Sequence, residues 1–184
     1  GNADDVMDLD ETGYIRVERV HVVYNTFVDN ANSIAYHYRP DGYPLTPLDT
    51  LVANNVIYHS RASANPAISA AVDRLMELGG VTWENNVVHA PQRALTGVPD
   101  GFPGFRIVDQ PLVLGLDGVY YPPGDSPLID AGSASLDYLT TDIEGKPRDA
   151  FPDIGAFEYA GTPLVRGPLT PDLVGPYGPE DLSY

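Results

Sequence analysis

Three segments decide how this chain is read: VVYNTFVDN (22–30), VANNVIYHS (52–60) and TWENNVVHA (82–90). Each holds an Asn at one register, namely Asn25, Asn55 and Asn86, and the recurrence is 30 and then 31 residues. Each Asn is followed by strand-forming residues: Thr26-Phe27-Val28, Val56-Ile57-Tyr58 and Val87-Val88. A further apolar-rich stretch precedes each one. Self-similarity at a period of this size marks stacked structural units.

The unit reads strand, Asn, strand. Asn tolerates left-handed backbone and hydrogen-bonds locally, so it can turn a chain sharply between two short strands. Stacked coil on coil, the same side chains can bond to one another in a ladder. The expected fold is therefore all-β, a right-handed parallel β-helix, or solenoid. The competing architecture is a β-sandwich in which these Asn residues only end strands.

The repeat maps the rest coarsely. SIAYHYR (33–39) and AISAAV (67–72) are strands following the Asn strands. In the first, two-residue alternation places Ile34, Tyr36 and Tyr38 on one face and Ala35, His37 and Arg39 on the other. With Ile34 toward the core, His37 and Arg39 point outward. DRLMELGG (73–80) is either one helical turn or an irregular loop. After Ala94 the Asn signal fades into degenerate coils. Residues 1–125 are read as coils carrying the Asn ladder, and 126–184 as a closing segment and extended tail of the same domain.

Composition agrees. The 184 residues suffice for one domain with a real core, and 43% hydrophobic content excludes a disordered chain. Gly and Pro, 18 each, favour short strands and many turns over helices. The formal charge of −16 argues against nucleic acid and against anionic membrane surfaces as partners. No apolar run reaches transmembrane length, so no membrane insertion is expected. With no cysteine there is neither a disulfide nor thiol chemistry. The N-terminus, GNADDVMDLD, has no signal-peptide pattern and leads straight into a strand-like run; the chain is expected to begin inside a longer protein or after processing.

The stretch GVYYPPGDSPLIDAG…TDIEGKPRD…PDIGAFEY then resembles the closing segment of many secreted bacterial right-handed β-helix proteins. It is expected to end the stack, with its apolar bursts buried and its Lys146/Arg148 turn exposed. Asp142, Lys146, Arg148 and Asp153 would pin the last turn by charge pairing. The tail from Arg166 to Pro176, RGPLTPDLVGP, resembles the ending of the alginate lyase and chondroitinase B group, polysaccharide lyase family six. It has one extra residue before Val-Gly-Pro.

The resemblance implies β-elimination on a uronate polysaccharide, of alginate or chondroitin/dermatan type. A Ca²⁺ bound by Asn and Glu side chains neutralises the uronate carboxylate, a lysine removes the C5 proton and an arginine assists. The matching Glu-x-Glu segment is absent here, and the sole lysine, Lys146, lies in the closing turn. No catalytic residue and no metal ligand are assigned. The chain reads as the C-terminal β-helix portion of a secreted or periplasmic bacterial lyase, inactive alone. Its partners would be an anionic polysaccharide and the missing N-terminal part of the same protein, where Ca²⁺ would bind. The alternative is a non-catalytic secreted β-helix that binds a glycan or presents a surface. A pectin-type hydrolase would need clustered outward Asp residues, which are not evident.

Arg39, with His37 and Tyr38, is the candidate substrate contact, because a guanidinium can hold a carboxylate with two parallel bonds. Arg39 could equally pair with Asp41; Arg16 and Arg19 have less support. His59 and His89 sit at neighbouring repeat positions but lack a third ligand, and the four His residues read mainly as solvated strand ends. Asp4, Asp5, Asp8 and Asp10 read as a solvated acidic segment, and DIEGKPRD as a poor match to a calcium loop.

Overall fold

A computed structural model describes residues 17–30, 33–36, 47–60, 68–70, 80–90, 101–133, 136 and 138–161. The described residues are all-β and contain no helix. They form eleven short strands: β1 (His21–Val23), β2 (Thr26–Val28), β3 (Ile34–Tyr36), β4 (Thr50–Ala53), β5 (Val56–Tyr58), β6 (Ile68–Ala70), β7 (Val81–Glu84), β8 (Asn86–His89), β9 (Phe105–Ile107), β10 (Val113–Leu114) and β11 (Tyr120–Tyr121).

Three parallel sheets run through the stack in the orders β1-β4-β7, β2-β5-β8-β9 and β3-β6, and β10-β11 is a separate antiparallel pair. The register follows the repeat: Thr26 pairs with Val56, which pairs with Val87, and Val22 pairs with Val52, which pairs with Trp83. This is β-helix-like stacking, in which each coil lends its edge to the next.

The central strands are apolar on both faces, as parallel strands covered on both sides must be. Val56, Tyr58 and Val87 join Leu112, Leu128 and Ile154 in one buried cluster. Ile57 and Val88 face the other way, against Phe27, Ile34, Ala90 and Phe105.

At the corner the three Asn residues form the expected ladder. Asn25 Nδ2 donates to Asn55 Oδ1 at 3.0 Å, and Asn55 Nδ2 donates to Asn86 Oδ1 at 2.8 Å. Asn86 Nδ2 ends the run on the Val52 and Gly104 carbonyls. Backbone amides join in, since Asn25 N and Asn55 N also donate to the carboxamide oxygen above them. Asn55 and Asn86 are wholly buried, and the ladder satisfies them there.

The turn is made by a different residue from the one expected. The left-handed backbone belongs to the position before each ladder Asn: Tyr24 (φ 53°), Asn54 (φ 54°) and Asn85 (φ 54°). A second corner repeats the same device at Arg19 (φ 52°), Asp49 (φ 48°) and Gly80 (φ 93°). At Gly80 a Cβ would lie 1.8 Å from the Pro47 carbonyl oxygen, so close approach of the coils requires glycine there.

The segment after 125 packs lengthwise across the coils. The Gly155 amide donates to the Asn54 carbonyl, the Ala156 amide to Thr26 Oγ1, and the Tyr24 hydroxyl to the Ser133 carbonyl. Asn85 Nδ2 reaches the Ala131 carbonyl. Of the two apolar bursts, Leu128 and Ile154 are fully buried while Tyr159 is exposed. The helical-turn-or-loop segment lies outside the described residues except for Gly80, and the tail from 162 lies wholly outside them.

Candidate functional site

The proposed contact residues Arg39, His37 and Tyr38 lie outside the described residues, as do Arg16, Asp4, Asp5, Asp8, Asp10 and the RGPLTPDLVGP tail. Arg19 is described; it is exposed at a left-handed corner, 3.5 Å from Glu18. The described residues instead bring together two other groups: a charged network under the closing segment, and a cleft beside β5 and β8.

The network corrects the expectation that the Lys146/Arg148 turn is exposed. The Arg148 side chain is 5% exposed and pairs with Glu158 at 3.1 Å. Its guanidinium also donates to the Asp153 and Gly155 carbonyls and sits 4.3 Å from the centre of the Tyr24 ring. Lys146 pairs with Glu144 at 2.7 Å. The pairing partners are thus Glu144 and Glu158, and the two Asp residues have another task. Asp142 accepts the amides of Glu144, Lys146 and Glu158, and Asp153 accepts those of Asp130 and Tyr159. Burial raises the Asp153 and Glu158 carboxyls above their ordinary range, and the Arg148 charge only partly offsets it. Charge here holds the segment to the first coil through Tyr24, which is an architectural task.

This arrangement also decides whether the Ca²⁺ implied by the resemblance fits the described residues. It does not: the ladder Asn side chains are engaged with one another, and the Asp142 and Asp153 oxygens with amides. Among the described residues no group of three His, Asp or Glu converges as a metal site would.

The cleft is the second group. It encloses about 830 Å³ and is lined by Tyr58, Ser60, His89, Asp109, Gln110, Val113, Pro123, Asp125, Ser126 and Pro127. Strand register builds its wall. Tyr58 pairs with His89, so their rings stack at 5.1 Å and 20°, and Tyr120 tilts against the Tyr58 ring at 5.1 Å. His89 Nδ1 lies 3.0 Å from the Val108 carbonyl oxygen and 3.2 Å from the Gln110 amide, which leaves Nε2 for the cleft. The Ser60 amide and hydroxyl both bond to Asp29.

The register corrects the reading of the histidines. His89 stands above Tyr58, not above His59. His59 is 2% exposed and its Nε2 has no partner among the described residues, so it is no solvated strand end, and the register pairs His89 with Tyr58 instead. His21 does lie at an exposed strand start, with Nδ1 against the Tyr138 hydroxyl. The repeat contained the signal for the correct pair: the 31-residue offset that joins Asn55 to Asn86 also joins Tyr58 to His89. Asp109, Gln110 and Asp125 lie after the Asn signal fades, and no spacing marks them.

No protein-family model matches the chain, and no curated protein matches it. Among solved structures, a mutant of the PL6 family alginate lyase AlyGC superposes with a TM-score of 0.44 and 15% identity, over 85% of this chain. The chain spans 18% of that chain's length.

Proposed function

We propose that this chain is the C-terminal β-helix portion of a secreted or periplasmic lyase that cleaves a uronate polysaccharide by β-elimination. On this reading, 1–125 are coils of a right-handed solenoid and 126–184 its closing segment and tail. The Ca²⁺ and the base belong to a preceding segment, and Arg39, with His37 and Tyr38, steadies the polymer beside the reacting sugar.

Support comes from the closing motif and the RGPLTPDLVGP tail, and above all from the coil-on-coil Asn ladder. The Asn55 and Asn86 carboxamide oxygens each accept donors from the coil before them. The sole lysine, paired with Glu144, is poorly placed to serve as the base.

The test compares the chain with a longer protein that contains it. Both are incubated with alginate and with dermatan-type chondroitin, with and without Ca²⁺, and the absorbance of the unsaturated uronate is followed. The longer protein should form product, lose efficiency but not all activity on Arg39→Ala, and need or gain from Ca²⁺. The chain alone should form none. Silence from the longer protein on every uronate polymer would refute the reading. It would favour the second one, a non-catalytic glycan-binding module, for which the cleft is the specific observation.

A further inference from the structure

We infer that the cleft over Tyr58 and His89 binds an uncharged, hydroxyl-rich ligand, a segment of neutral saccharide, and excludes uronates. The inference does not depend on the lyase reading.

Three observations carry it. The first is a hydroxyl donor carried on the aromatic wall. Tyr58 is 8% exposed and lines the cleft, its ring held between His89 and Tyr120. The hydroxyl stays protonated, because burial first, and then Tyr120 and Asp29, push its pKa up. The site therefore presents a fixed donor at its wall.

The second is the sign of the rim. Asp109 and Asp125 line the cleft, Asp29 stands behind Ser60, and no Lys or Arg is among the described lining residues. Ionised carboxylates are acceptor-only, so they match ligand hydroxyl donors and repel ligand carboxylates. The whole chain, at −16, reinforces that repulsion.

The third is the mixture of surfaces. Val113, Pro123 and Pro127 offer apolar patches among polar groups, and Gln110 adds both a donor and an acceptor. A bare cation would need converging oxygens, not a tyrosine donor and proline faces. A pyranose ring has C–H faces for the apolar patches and hydroxyls that both donate and accept. The volume lies within the range of small-molecule sites, about 300–1,000 Å³.

The experiment titrates the full chain, by ¹H–¹⁵N NMR and calorimetry, with neutral glucose-, mannose- and galactose-based tetrasaccharides, with an alginate tetrasaccharide and with CaCl₂. At least one neutral tetrasaccharide should bind saturably and shift the Tyr58, His89 and Gln110 amides, while the alginate tetrasaccharide should not. Tyr58→Phe keeps the ring and removes only the donor; it should weaken binding about fivefold, the effect of one neutral hydrogen bond. Asp125→Asn, at an exposed position, should weaken neutral binding and reduce the discrimination against the uronate. Any of four results overturns the inference: no saturable binding by any neutral tetrasaccharide, equal or tighter binding of the alginate tetrasaccharide, unchanged affinity in Tyr58→Phe, or the same shifts produced by Ca²⁺ alone.

Discussion

Replacing Asn55 by Ala tests whether the ladder holds the coils together. Asn55 is wholly buried and its side chain makes four hydrogen bonds: it donates to the Val22 carbonyl at 2.7 Å and to Asn86 Oδ1 at 2.8 Å, and it accepts from Asn25 N and Nδ2, each at 3.0 Å. The four do not count equally. Asn25 is exposed, so its two donors turn to water when Asn55 Oδ1 is removed. The Val22 carbonyl and Asn86 Oδ1 are left in the interior, at about 1 kcal/mol for each lost bond. The void left by the carboxamide adds about 1 kcal/mol. Asn55→Ala should therefore cost about 3 kcal/mol, a fall of about 6–12 °C in Tm for a domain of this size. Asn25→Ala, at the wet end, should cost about 1 kcal/mol or less by the same reasoning. Urea titration followed by circular dichroism at 215–220 nm, the region where β-structure absorbs, measures both. Equal losses for Asn55→Ala and Asn25→Ala would show that burial of the rung is not what stabilises the stack.

Other changes follow from the same geometry. Gly80→Ala places a Cβ 1.8 Å from the Pro47 carbonyl oxygen at φ 93°, so it should cost about 2 kcal/mol or more by thermal melt. Asn54→Gly should be milder than Asn54→Ala by roughly 1 kcal/mol, because only the backbone strain of φ 54° separates them once the bonds to Ser133 and Asn85 are lost in both. The Asp153 carboxyl has a folded pKa raised by burial, so its stabilising contribution is fully present below the ordinary 3.8 and is lost as pH rises through the folded value. The stability of the parent chain minus that of Asp153→Asn should accordingly fall from acid to neutral pH, and a difference that rises instead would contradict the sign. Lys146→Ala in a longer active protein should leave turnover within a few-fold, because Lys146 is held by Glu144; a loss of about a hundredfold, a size expected of a lost acid–base group, would make it catalytic.

The repeat was legible because a parallel stack returns the chain to the same place after a constant number of residues. Every rung contact is then a contact at a fixed offset, and the 30- and 31-residue recurrence of Asn stated both the strand order and the register. The same regularity hid one detail. It did not say that the residue before each Asn makes the left-handed turn, because Tyr24, Asn54 and Asn85 share a backbone conformation and not a side-chain type. The neighbour of His89 was legible: the 31-residue offset gives Tyr58, and a slip of one residue to His59 would move a side chain to the opposite face.

What only the tertiary structure decided lies where contacts do not repeat. Arg148 belongs to a polar turn, and a Gly-Lys-Pro-Arg run predicts a solvated surface. It is buried because Glu158, two backbone carbonyls and the Tyr24 ring meet it from elsewhere in the chain. The cleft likewise joins a wall set by the repeat, Tyr58 and His89, to a rim from 109–127 that obeys no period. A linear sequence records contacts at constant separation as a pattern. Contacts between a periodic stack and an aperiodic segment leave no such trace, and depend on how the two surfaces pack.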